Sequence, residues 1–174
     1  MQDREQSEHL WIVAVLLGVG IAARLVPHPW NATPTMAIAL FGGTYLTKRW
    51  SIALPLLLVA VSDLFLGWHS TIPFTWSAFA ATGMLGWWVR RRPTSGRIVT
   101  SALAGAVLFF LVSNFGVWAT QALYPHTAQG LWTCYLAGVP FFRGTLLGDA
   151  VFTAVLFGGY AAVTAALPTR AAAR

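Results

Sequence analysis

Charge is what this sequence has least of. Asp, Glu, Lys and Arg make up 9% of its 174 residues, and only five of them are acidic. Soluble domains carry roughly a quarter of such residues, so water is not the main solvent of this chain. Cysteine is almost missing too. Cys134 stands alone, which excludes an internal disulfide and leaves the redox compartment unreadable. No stretch has the spacing of a zinc site, a phosphate-cradling glycine loop, a Ser/His/Asp nucleophile or paired carboxylates. No repeat of solenoid period is present. The start, MQDREQSEH, is not followed by a small-residue cleavage pattern, so the first hydrophobic segment is expected to be retained rather than removed as a signal peptide.

What is present is apolar: 57% hydrophobic residues, with nine Trp and eleven Phe. At about 20 residues per span plus short loops, this length suits six membrane helices in one domain. The expected spans run over 10–26, 35–46, 51–67, 73–89, 98–118 and 144–167. Residues 1–9 and 168–174 are left as tails. The second is too short to cross unaided and is expected as a helix shielded by neighbours, with Gly42 and Gly43 allowing close contact. Ala14, Gly18 and Ala22 recur every four residues on the first span. Such a stripe lets another helix approach closely, inside the bundle or from a separate membrane partner. Leu40–Tyr45 (LFGGTY) is echoed by Leu156–Tyr160 (LFGGY), by chance or as a mark of related helices.

The net charge of +6 invites a nucleic-acid reading, but its distribution does not. The basic residues sit between apolar spans, where they set topology. With six spans, nine of the eleven Lys and Arg fall on one side: Arg4, Lys48, Arg49, Arg90, Arg91, Arg92, Arg97, Arg170 and Arg174. Arg24 and Arg143 fall on the other. The expected fold is therefore an all-α integral membrane protein, a six-transmembrane-helix bundle with N and C termini cytoplasmic, multi-pass in a bacterial inner membrane.

On that topology the polar residues gather at the outer side. Arg24, His28, Asn31, Asp63, His69, Asn114, Tyr124, His126, Cys134, Arg143 and Asp149 all map to outer loops or outer helix ends. An aspartate near the membrane interior costs about 2.5–3.5 kcal/mol on insertion scales unless paired or hydrated. Asp63–Arg24 and Asp149–Arg143 are the candidate pairs, either as register locks or as parts of a site. Arg143 and Asp149 would converge only if Gly144 broke the helix between them. The stretch Tyr124–Asp149 is expected to line the outer mouth, with Trp30, Trp68, Tyr124 and Trp132 as apolar walls. Cys134 reads as a small buried apolar group or as a soft-metal ligand.

Several of these runs carry a resemblance. Arg24–Pro34 (RLVPHPWNATP), Leu40–Gly43 (LFGG), Ser62–His69 (SDLFLGWH), Ser113–Trp118 (SNFGVW) and Pro140–Asp149 (PFFRGTLLGD) resemble a bacterial membrane family of unknown function, labelled as transport proteins without an established activity. The layout of that family is similar to the S-components of energy-coupling factor transporters. These are six-helix proteins that capture vitamins from outside and work with an ATPase-driven partner. The resemblance implies that Ala14, Gly18 and Ala22 dock a partner membrane subunit. Some solitary S-components place a cysteine on the cobalt of cobalamin, which makes Cys134 a point of comparison.

The expected function is capture and uptake of a small molecule, with a vitamin such as cobalamin as one candidate. Arg24, His28, Asn31, Asp63, His69, Asn114, Tyr124, Cys134, Arg143 and Asp149 would bind it. No catalytic residue, resident cofactor, metal or nucleic-acid partner is expected. The lipid bilayer and an energising subunit with a separate ATPase are the expected partners. Alternatives are a membrane-embedded enzyme acting on a hydrophobic or lipid substrate, and a scaffold subunit.

Overall fold

The computed structural model describes residues 2–27 and 32–166, with side chains from Leu10 onward. Among the described residues it contains six helices and no strand: α1 (Gln2–Leu25), α2 (Thr35–Tyr45), α3 (Lys48–Leu66), α4 (Ile72–Arg91), α5 (Ser95–Thr120) and α6 (Ala128–Ala166). By length and composition, α3, α5 and α6 can each cross a membrane. Large apolar side chains stand exposed along α1, α5 and α6, among them Trp11, Val15, Val99, Leu103, Leu147 and Val151. Exposure of that kind in contiguous stretches marks contact with lipid or a partner.

The short second helix sits at the centre. Ten of its eleven residues are buried, all but Tyr45, and α3, α4, α5 and α6 pack around it. Glycine makes its closest contact possible. A Cβ on Gly43 would fall 2.0 Å from the Gly83 carbonyl oxygen, and one on Gly86 would fall 2.5 Å from the Gly43 backbone. Backbone thus meets backbone between α2 and α4. The LFGG echo is a contact as well: Phe41 packs edge-on against Phe157 at 5.3 Å, and Tyr45 lies 4.1 Å from Tyr160.

The two ends of the bundle differ in chemistry. At one end the guanidinium of Arg90 donates to the carbonyls that close α2: Gly43 at 2.6 Å, Thr44 at 3.1 Å, and Leu46. A cation there complements the free carbonyls and the negative end of the helix dipole. Lys48, Arg49, Arg91 and Arg92 surround this end and are exposed. At the opposite end Arg24 of α1 reaches Asp63 of α3. Thr120 at the end of α5 donates to Ser70 in the α3–α4 connection at 3.0 Å. Arg24 apart, the basic residues named here are therefore sorted away from the buried carboxylate of Asp63.

One expectation is corrected. Gly144 does not start a helix; α6 runs unbroken for 39 residues from Ala128, with Pro140 inside it. At 1.5 Å per residue that is about 58 Å, almost twice a bilayer core. Proline removes one helical hydrogen bond. Small residues on the inner face, Gly130, Cys134, Gly138, Gly144 and Gly148, let the helix stay packed on both sides of the proline.

Candidate functional site

The continuous α6 moves Asp149 from a helix end to near its middle. Its side chain is buried at 4% exposure, and Oδ2 has no hydrogen-bond partner among the described residues. Arg143 is exposed. Six residues along one helix is about 240° of rotation, so the Asp149–Arg143 pair cannot form. Gly148 beside it lets the chain entering α2 lie against α6, since a Cβ there would fall 2.8 Å from Cα of Ala32.

The other candidate pair does form. Arg24 Nη2 donates to Asp63 Oδ1 at 2.6 Å, and Trp76 Nε1 donates to Asp63 Oδ2 at 2.9 Å. His69 completes the group, with Nε2 at 4.0 Å from Oδ2 and Nδ1 at 2.7 Å from the Thr71 hydroxyl. Both oxygens of a buried carboxylate are thus met, as its burial demands.

Beside Asp149, and bounded by the Arg24 that pairs with Asp63, lies a cavity of about 250 Å³, walled also by Met36, Phe79, Phe109 and Thr145 among others. A second cavity of about 250 Å³, toward Thr71 and Asn114, shares Phe109 and Thr145 with the first. On the far side of Asp149 an apolar groove of about 530 Å³ runs between α5 and α6 to Pro93 and Ser95, next to the basic end. Thr153, one turn beyond Asp149, lines that groove and has a buried hydroxyl without a partner among the described residues. Asp149 therefore stands in the wall common to a cavity facing one end of the bundle and a groove reaching the other.

The remaining candidates are scattered around this centre. Asn114 lines the second cavity, with its Nδ2 donating to the Phe110 carbonyl at 2.8 Å. Cys134 is buried at 2% exposure, and its thiol donates to the Asn114 carbonyl at 3.4 Å. His126 instead lies against Trp118 at 5.4 Å. Tyr124 is half-buried away from these cavities, while Trp68 (70%) and Trp132 (64%) point outward. His28, Trp30 and Asn31 lie outside the described residues. No group of three His, Cys, Asp or Glu side chains gathers as a metal site among the described residues. On α1, Ala14, Gly18 and Ala22 are exposed, and a Cβ on Gly18 would meet nothing within 4 Å. The stripe is not used inside the described bundle.

Nothing in the sequence marks Trp76, Phe79, Phe109 or Thr145 as site residues. They are ordinary members of apolar helices, and only the packing brings them to Asp63 and Asp149.

Residues 4–170 match a family described as a family of unknown function, DUF6580. The chain belongs to that family. No match is found among curated proteins or among solved structures.

Proposed function

We propose that this protein captures a small solute and carries it across the bacterial inner membrane, as a six-span bundle with both termini cytoplasmic. The observation that supports this most is the position of Asp149. A buried carboxyl without a partner on Oδ2 separates a cavity on the Asp63 side from a groove that reaches the basic end. A carrier needs a polar contact that either face can reach in turn. The positive-inside rule places the Lys48–Arg49 and Arg90–Arg92 end in the cytoplasm, and the cavity then faces outward.

The site is small. Pockets for drug-sized ligands run to about 300–1,000 Å³, so a 250 Å³ cavity favours a compact solute over a corrin such as cobalamin. An energising partner, if the cycle uses one, would dock on Ala14, Gly18 and Ala22. The alternatives of a lipid-modifying enzyme and of a scaffold have no comparable geometric support.

Native mass spectrometry of the protein in nanodiscs tests this reading. A small-molecule adduct is expected on the wild type and lost from Asp149→Asn. The same compound should then accumulate inside proteoliposomes. An adduct that is chemically converted without accumulating would overturn transport in favour of catalysis.

A further inference from the structure

We infer that the solute is a small organic cation, an ammonium group carried on a short apolar or aromatic body; this rests on the reading of the cavity as a solute site. The argument is one of charge balance. Four ionisable side chains belong to this centre: Arg24, Asp63, His69 and Asp149, with His69 Nε2 on the Asp63 side at 4.0 Å from Oδ2. Arg24 is already committed to Asp63 at 2.6 Å, and Trp76 takes the second oxygen of that carboxylate. The pair is neutral, and both oxygens of its carboxylate are met. Asp149 is left over, buried, with Oδ2 unpartnered and no cation within salt-bridge distance among the described residues. An unpaired buried carboxylate is costly, and a bound cation supplies the missing partner.

The rest of the wall fits an ammonium better than an anion or a neutral solute. The rings of Phe79 and Phe109 stand 4.9 Å apart in the cavity wall, and aromatic faces attract cations. The Thr145 hydroxyl already donates to the Phe141 carbonyl at 3.3 Å, so what it offers a ligand is its acceptor lone pairs. An ammonium has only donors, and it meets acceptors here. Arg24 contributes one further group, a buried Nε–H without a partner, which would donate to a hydroxyl or carbonyl oxygen of the solute. An apolar cavity of about 150 Å³ holds benzene, so about 250 Å³ holds a ring with a short aminated arm.

Three probes of one shape and different charge decide the matter: benzylammonium, benzyl alcohol and benzoate, titrated calorimetrically into the full-length protein in nanodiscs. Benzylammonium is expected to bind saturably and at least about tenfold tighter than the alcohol, the scale of one charge-assisted hydrogen bond, with benzoate excluded. Asp149→Asn should bring benzylammonium down to the level of the alcohol. The wild-type ranking needs no variant and stands even if Asp149→Asn folds poorly. Benzoate binding best, the alcohol matching the ammonium, or no binding by any of the three would overturn the cation. In the first two cases the solute site itself would stand. In the third, the adduct experiment above decides that separately.

Discussion

Arg24 and Asp63 lie 39 residues apart in the chain and meet at 2.6 Å. With Trp76 on the second oxygen, one carboxylate ties α1 to α3 and α4 at the end of the bundle opposite the basic loops. Removing one partner leaves the other charge buried and alone, which costs about 3–5 kcal/mol for buried pairs. Arg24 retains some exposure, so Arg24→Ala is expected near about 3 kcal/mol. The double replacement Arg24→Met with Asp63→Leu should recover most of that loss, read by unfolding in mixed micelles.

Asp149 should behave in the opposite way. Its carboxylate has an unpartnered buried oxygen, so Asp149→Asn gives up no ion pair and removes a charge that is costly to bury. Thermal stability in detergent is expected to hold or rise while uptake into proteoliposomes is lost. A large fall in stability would mean that the carboxyl is structural.

Gly86 and Gly18 make a contrasting pair. A Cβ on Gly86 would stand 2.5 Å from the Gly43 backbone, which has nowhere to go, whereas one on Gly18 meets open space. Overpacking of this kind costs about 1–3 kcal/mol, so Gly86→Ala should lower the unfolding midpoint. Gly18→Leu should leave it unchanged and abolish co-purification of a docked subunit. Retained co-purification would remove the α1 stripe from consideration.

Arg90 is expected to resist conservative replacement. Its guanidinium is shared among carbonyls of Gly43, Thr44 and Leu46, and the single ammonium of lysine cannot reproduce that fork. Arg90→Lys should cost about 1.5–3 kcal/mol, the worth of a charge-assisted hydrogen bond, while Arg91→Lys, at an exposed position, should be neutral in the same melt.

Sidedness can be read with thiol labelling. Cys134 is buried and should react slowly with an impermeant maleimide in intact cells. In a Cys134→Ala background, Trp132→Cys is expected to label from outside and Arg49→Cys only after permeabilisation. The reverse pattern would put the cavity on the cytoplasmic side.

Much of the fold was legible because its signals are local and repeated. Apolar runs bounded by prolines and basic residues mark helices, and Gly42–Gly43 correctly pointed to a short helix under close cover. The Arg24–Asp63 pair is legible as a candidate too, because a carboxylate buried in an apolar chain calls for a cation and few are at hand, although the same logic fails for Asp149 and Arg143. The expected helix start at Gly144 is overridden by packing of the whole inner face of α6. A start at Gly144 sets Asp149 near a helix end, with Arg143 as a candidate partner only across a break that the continuous helix does not have. Trp76, Phe79 and Phe109 were invisible for a different reason: on apolar helices an aromatic residue carries no mark of which way it faces. In the sequence Arg90 reads as a topology signal, and its hold on α2 depends on a tertiary contact that no spacing encodes.

The glycine seam between α2 and α4 limits how such a molecule can work. Main chain pressed on main chain, with Arg90 fastened across the same joint, cannot slide or roll without collision. These two helices form a stator. Ring contacts, Phe79 on Phe109 and Phe41 on Phe157, couple it to α5 and α6, and rings can re-stack where backbones cannot. On the carrier reading proposed above, the stroke that turns Asp149 from one mouth to the other would fall to α5 and α6, swinging against a fixed hub.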